Sequence, residues 1–151
     1  MKKLLLISIG ILLLGGSVMA QRNVAPVLDP LMEADAKHNM DVAWQAFGPN
    51  RQAYKQVIMR FEETFAAYPE FSGMGTFLYL AGMSSYYLSE NKGKQKVDLK
   101  SPKEKVKFAP AKLKDDAIGY LSMVVEKYPD SQYIGETEKT LKILKAQKPD
   151  K

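Results

Sequence analysis

Two stretches of the chain close in the same way. Phe65-Ala66-Ala67-Tyr68-Pro69-Glu70 and Val125-Glu126-Lys127-Tyr128-Pro129-Asp130 each end a run of apolar residues with tyrosine, proline and an acid. Proline lacks an amide hydrogen and its ring collides with the preceding turn, so each motif is a helix stop. Before the first stop, Tyr54, Val57, Ile58, Phe61, Phe65 and Tyr68 recur at steps of three and four. Before the second, Leu113, Ala117, Ile118, Leu121, Val124, Val125 and Tyr128 do the same. That spacing places them on one face of an α-helix. Counted back from each proline, Val57, Phe61 and Thr64 in one copy fall where Ala117, Leu121 and Val124 fall in the other. A chain carrying two such helices must bury their stripes by packing helix on helix.

The neighbouring segments extend this reading. Leu31 to Phe47 is expected to be helical and to stop at Gly48-Pro49-Asn50, with Asn50 placed to cap the next helix, Arg51 to Tyr68. Thr76 to Leu88 is apolar on nearly every side, so it must be covered on more than one face and is expected to be the central element. A helix over Lys112 to Tyr128 follows. Asp130 or Ser131 then caps a last helix reaching about Ala146, whose few apolar residues mark it as an end cap. No segment alternates with period two. The expected fold is all-α, with about five helices.

Tyr128-Pro129-Asp130-Ser131-Gln132-Tyr133 resembles the YPxSxY turn of bacterial cell-envelope proteins built from tetratricopeptide repeats. These include the outer-membrane assembly lipoproteins and the Tol–Pal-associated periplasmic repeat proteins. In those families a glycine commonly lies thirteen residues past the turn proline, and Gly82 lies thirteen past Pro69. The small–large–small pattern counted from each proline also fits the second helix of such a repeat, and Leu78, Ala81 and Gly82 fit its first. The resemblance covers about Arg51 to Leu144, less residues 89–111. It implies a short solenoid of helical hairpins (TPR-like), with a partner groove lined by the first helices. This chain departs from the pattern in three places. It has no cysteine, so the lipid anchor of the assembly lipoproteins is missing; Lys142 stands thirteen past Pro129; and residues 89–111 lengthen the turn inside the central repeat.

Lys2 and Lys3 followed by the apolar run Leu4 to Leu14, with Ala20 at the natural cleavage point, read as an export signal over residues 1–20. The run is too short for the ~20 residues that a bilayer core demands. The competing reading is an uncleaved N-terminal anchor. The expectation is therefore one helical domain over 21–151 in the periplasm, with at most peripheral membrane contact.

Charge is concentrated in one place. Ser89 to Lys114 holds nine lysines and three acids, a net +6, whereas the remainder of the chain beyond residue 20 is −3. Gly93, Ser101-Pro102 and Pro110 break any long helix there, so most of residues 89–111 is expected to be an irregular basic insertion. Lys92, Lys94, Lys96, Lys100, Lys103, Lys105 and Lys107 form a candidate docking loop for an acidic partner or an anionic surface. The alternative is a solvated spacer. Nucleic acid is not expected, because the segment has no arginine and its only aromatic is Phe108.

The absence of cysteine removes thiol nucleophiles, thiolate metal sites and disulfides. The single histidine, His38, lies near Glu33, Asp35 and Asp41, and Asp41 at i+3 could share its face; one histidine with one carboxylate is too little for a metal site. Glu62-Glu63 and Asp115-Asp116 are adjacent pairs that point to different sides of a helix and cannot share acid–base work. No catalytic residue, metal or cofactor is expected. With Leu78 and Gly82 turned toward a partner helix, Thr76, Tyr79, Met83 and Tyr86 become the candidate partner-binding groove, rich in adaptable Tyr and Met contacts. The expected function is a non-enzymatic interaction module, either an adaptor, an assembly factor or an accessory subunit, that holds another envelope protein or self-associates. Two alternatives stand beside it. One is a small-molecule-binding protein or enzyme with a pocket closed by the 89–111 insertion, and the other is a basic protein docked on anionic envelope components.

Overall fold

The structure, a computed structural model, describes residues 29–147. The export segment lies outside them. Among the described residues the fold is all-α, with no strand and with six helices: α1 (Pro30–Phe47), α2 (Tyr54–Ala67), α3 (Met74–Ser89), α4 (Pro102–Lys107), α5 (Pro110–Lys127) and α6 (Ile134–Ala146). Five are the helices expected. The sixth, α4, lies inside the segment expected to be irregular: Ser101 caps it by accepting from the Glu104 amide, and Pro102 supplies the pre-set first turn.

α1 packs on α2, α2 on α3, α3 on α5 and α5 on α6. In α1–α2 the short turn is tied by the Ala53 amide donating to the Ala46 carbonyl (2.8 Å), and further along Arg60 donates to the Asn39 side chain (3.0 Å). Asp29 caps α1 by accepting from the Leu31 amide. Asn50 is not a cap; it lies in the turn, and α2 starts later, at Tyr54, after Ala53. Nor does Asp130 or Ser131 cap the last helix: the N-cap of α6 is Tyr133, which makes no side-chain bond to the helix, and the Ser131 hydroxyl accepts from the Tyr133 amide within the preceding turn.

α3 is the central element, touching α1, α2 and α5. Twelve of its sixteen residues are buried, which is why its sequence lacks a polar stripe. Its pairing with α5 depends on two glycines one heptad apart. A Cβ on Gly82 would stand 2.6 Å from Cγ of Leu121, and one on Gly75 would stand 2.7 Å from Cγ of Tyr128. Leu121 is itself fully buried, so the helices approach as closely as backbone and side chain allow. The same crowding admits small polar residues. Ser84, Ser85 and Thr64 are buried with no hydrogen-bond partner for their hydroxyls, which carries a desolvation cost.

The sequence repeat is also a structural one. Tyr68 and Tyr128 end their helices at φ/ψ of −136°/62° and −133°/55°. In each turn the tyrosine amide bonds four residues back and the tyrosine carbonyl accepts from the amide three residues on, at Phe71 or Ser131. Gly73 and Tyr133 then begin the next helices at near-identical angles (−83°/8° and −96°/4°). In that register the buried Thr137, Thr140, Leu141 and Leu144 of α6 match Phe77, Leu80, Ala81 and Ser84 of α3. The positions matching Gly75, Leu78 and Gly82, which receive α5 on α3, are Gly135, Glu138 and Lys142 on α6, all exposed. α6 repeats the inner face of α3 and leaves its outer face polar.

Residues 90–109 lie against the ends of α2, α3 and α5. Gly93 (φ +97°) has no room for a Cβ, which would stand 2.7 Å from the Tyr54 ring, and next to it the Lys94 amide donates to the Gln52 carbonyl (3.1 Å). Phe108 is buried with Tyr54, Ile58, Leu88 and Leu113 in a second apolar cluster. Lys55 pairs with Glu104 at 2.7 Å, and Lys107 pairs with Glu62. The Lys55 ammonium and the Asp98 amide hold the Glu104 carboxyl below the usual carboxylate range. The segment is pinned along its length and is not a free spacer.

Candidate functional site

Two of the four groove candidates are inside the protein. Tyr79 is 4% exposed and Met83 2%. Tyr86 is half-buried at the surface, while Thr76 faces a separate shallow cleft of about 470 Å³ beside the Tyr128–Gln132 turn. Thr76 therefore lies toward the end of α5, and Tyr79 is covered by the chain's own Tyr133. The Tyr133 ring stacks on Tyr79 (centroids 4.2 Å apart, 8° between planes), and the Tyr79 hydroxyl donates to Glu136 at 2.6 Å. Burial, reinforced by that carboxylate, raises the Tyr79 phenol well above its ordinary range, so it stays a donor. The expectation of an open groove at Tyr79 and Met83 is corrected by this packing.

α1, α3 and the turn before α6 together present a relay of rings. From Tyr79 it passes to Tyr133, then Trp44 (5.8 Å), Phe47 (5.9 Å), Tyr87 (6.1 Å) and Tyr86 (5.6 Å). α1 supplies Trp44 and Phe47, α3 supplies Tyr79, Tyr86 and Tyr87, and the cap of α6 supplies Tyr133. Trp44 and Phe47 are three apart and share a face of α1, and Gly48 ends that helix immediately after them. Apart from Tyr79, the rings are half-buried. Each is fixed by its neighbours and keeps an edge in solvent, and such pairs contribute about 0.5–1.5 kcal/mol beyond area burial.

Charges of both signs flank the relay. The Lys92 ammonium lies over the Tyr86 and Tyr87 rings, 5.5 and 5.6 Å from their centroids. Glu136 is exposed, and after desolvation its charge is the largest cause raising the Tyr87 phenol. The Tyr86 and Tyr87 hydroxyls have no hydrogen-bond partner among the described residues. A strip of rigid, amphipathic rings with free hydroxyls, a cation and a carboxylate is equipped to hold an extended segment through apolar contact and a few oriented polar contacts. The sequence pointed to Tyr79 and Tyr86. It missed Trp44, Tyr87, Tyr133 and Glu136, although Tyr133 was already part of the YPxSxY turn.

The lysine loop divides in two. Lys94 donates to the Asn50 carbonyl, Lys96 to the Asn91 carbonyl, Lys107 pairs with Glu62 and Lys92 covers tyrosines. The ammonium groups of Lys100, Lys103 and Lys105 are exposed and have no partner among the described residues, although the Lys100 amide donates to the Asp98 carboxylate. A cleft of about 410 Å³ between α2 and the insertion is lined by Lys55, Gln56, Met59, Arg60, Glu63, Gln95 and Glu104, away from the aromatic strip. His38 is exposed, and Asp41 is taken by Lys37 at 3.0 Å. No group of three His, Cys, Asp or Glu residues is placed to hold a metal ion among the described residues. No described helix is long and apolar enough to cross a membrane.

No family model, curated protein or solved structure matches the chain.

Proposed function

We propose that the chain is a non-enzymatic interaction module of the cell envelope, a TPR-like array of helical hairpins that holds a segment of another envelope protein on its aromatic strip. The observation that carries this reading is the convergence of half-buried Trp44, Phe47, Tyr86, Tyr87 and Tyr133 from α1, α3 and α6 on one side of the molecule. Tyrosine and tryptophan dominate the energetic centres of protein interfaces, because they bring large contact area at little rotamer entropy. Export to the periplasm rests on the sequence of residues 1–20, and the envelope assignment on the turn motif at Tyr128–Tyr133.

The test is retention of the partner from the native envelope fraction, read by quantitative mass spectrometry. Tyr86→Ala and Glu136→Lys change the strip, and Lys139→Glu changes an exposed position of α6 as a control. Retention of the same partner should fall by about tenfold or more for each strip variant, as for central interface residues. The control should match the parent chain in retention and in melting, whereas Glu136→Lys, which removes the acceptor of the buried Tyr79 hydroxyl, should melt lower while still folded at the assay temperature. Equal retention by the strip variants would remove the strip from the binding surface.

A further inference from the structure

The three unpaired lysines of the insertion are grouped, and two aliphatic side chains are exposed among them. Leu99 and Val106 are each 73% exposed, more than any other large apolar residue described. At 100° per residue, the inward side of α4 is set by Glu104, Lys107 and Phe108, which bond to Lys55, bond to Glu62 and enter the second apolar cluster. The opposite side is centred on Pro102 and Val106, with Lys103 and Lys105 on its two flanks. Leu99 and Lys100 lie in the turn just before, which is tied by the Ser101 amide to the Asp98 carbonyl and by the Asp98 amide to Glu104. The element is thus built inside out. Its ion pairs and buried aromatic hold it to the body, and its aliphatic residues point outward within a ring of free ammonium groups.

We infer that this face of the insertion is a docking site for an anionic lipid surface. Leu99 and Val106 would enter the interface between headgroups and acyl chains. Lys100, Lys103 and Lys105 can extend their methylene stems along that apolar contact and place their charges at the phosphates. Charge complementarity decides the occupant. The other lysines of Ser89–Lys114 already have carboxylate, carbonyl or ring partners, and the three that do not surround the two exposed aliphatics. The site is separate from the aromatic strip, so the protein can hold a partner while seated on a membrane. Each of the three lysines adds a favourable contribution near an anionic surface, and all three contributions are screened by salt.

The test uses the chain from Gln21 onward, which contains every described helix, and co-sedimentation with large unilamellar vesicles. Vesicles of equal parts phosphatidylglycerol and phosphatidylcholine should bind it, and phosphatidylcholine alone should not. Binding should be lost between 0.1 and 1 M salt, as the Debye length falls from about 10 to about 3 Å. Lys100→Gln/Lys103→Gln/Lys105→Gln should lower the partition coefficient by about tenfold or more. Leu99→Ser/Val106→Ser should do the same at unchanged charge. Lys94→Gln/Lys96→Gln, which removes partnered lysines of the same segment, should stay within about twofold of the parent. Equal binding to both vesicle types, no binding to either, or a parent-like triple-Gln variant would overturn the assignment. So would binding to polyglutamate with none to the anionic vesicles, which would make the face a site for acidic protein.

Discussion

Replacing Gly82 with leucine is expected to lower stability by about 3 kcal/mol, at or beyond the upper end of overpacking costs, with the melting temperature falling by on the order of 10 °C. The β-carbon alone would stand 2.6 Å from Leu121 Cγ and 2.7 Å from its Cδ2, and the Leu121 amide nitrogen follows at 3.4 Å. Leu121 has no exposed surface, and its backbone nitrogen stands within van der Waals contact of that Cβ. Gly82→Ala should therefore destabilise too, although alanine ordinarily gains about 0.5–1 kcal/mol over glycine inside a helix. Gly119 of α5 supplies the contrast. A Cβ there meets nothing within 4 Å, so Gly119→Ala should raise stability by that amount. Thermal denaturation of the three variants followed by circular dichroism reads all of this. A Gly82→Leu protein that melts like the parent would mean that α3 and α5 do not cross at this point.

The second large effect is expected at Phe108. Its ring is buried in the cluster of Tyr54, Ile58, Leu88 and Leu113, and the ammonium groups of Lys55 and Lys107 lie over it at 6.0 and 5.7 Å. Phe108→Ala should cost about 3–5 kcal/mol, because it removes the apolar contacts and leaves a cavity between α2, α3 and α5. It should also loosen the insertion. Hydrogen exchange at the amides of Lys94, Lys105 and Phe108, which donate to Gln52, Ser101 and Glu104 carbonyls, should accelerate before exchange within α3 does. A variant with parent-like stability and exchange would return the segment to the role of a solvated spacer.

The parts of this fold that could be read in the sequence are those with local causes. Pro69 and Pro129 stop helices by their own chemistry, and the stripes of α2 and α5 repeat every three or four residues. The all-round apolar character of Thr76 to Leu88 follows from burial on three sides, and Gly82 announced a close helix crossing. The ordered insertion was not legible, because its ties are long-range. Lys55 meets Glu104 and Lys107 meets Glu62 across more than forty residues, and no spacing rule links a lysine in α2 to an acid in α4. One aromatic, Phe108, anchors the segment without any periodic companion. The candidate site was half legible for a similar reason. Tyr79, Met83 and Tyr86 do share a side of α3, but whether that side is a groove depends on what α1 and α6 lay over it. The angle that brings Tyr133 onto Tyr79 and Trp44 onto Tyr133 is set by tertiary packing.

Site-specific photo-crosslinking in the native envelope tests the aromatic strip most directly. A photoreactive phenylalanine analogue at Tyr86 or Trp44 replaces one aromatic ring with another, and the same analogue at exposed Met59 or Lys139 samples surfaces away from the strip. The prediction is one discrete adduct of the same mass from positions 86 and 44, with none from 59 or 139. An adduct of that mass at the outer positions with none at the strip, or no adduct at any position, would contradict the assignment of these rings as the surface that holds a partner.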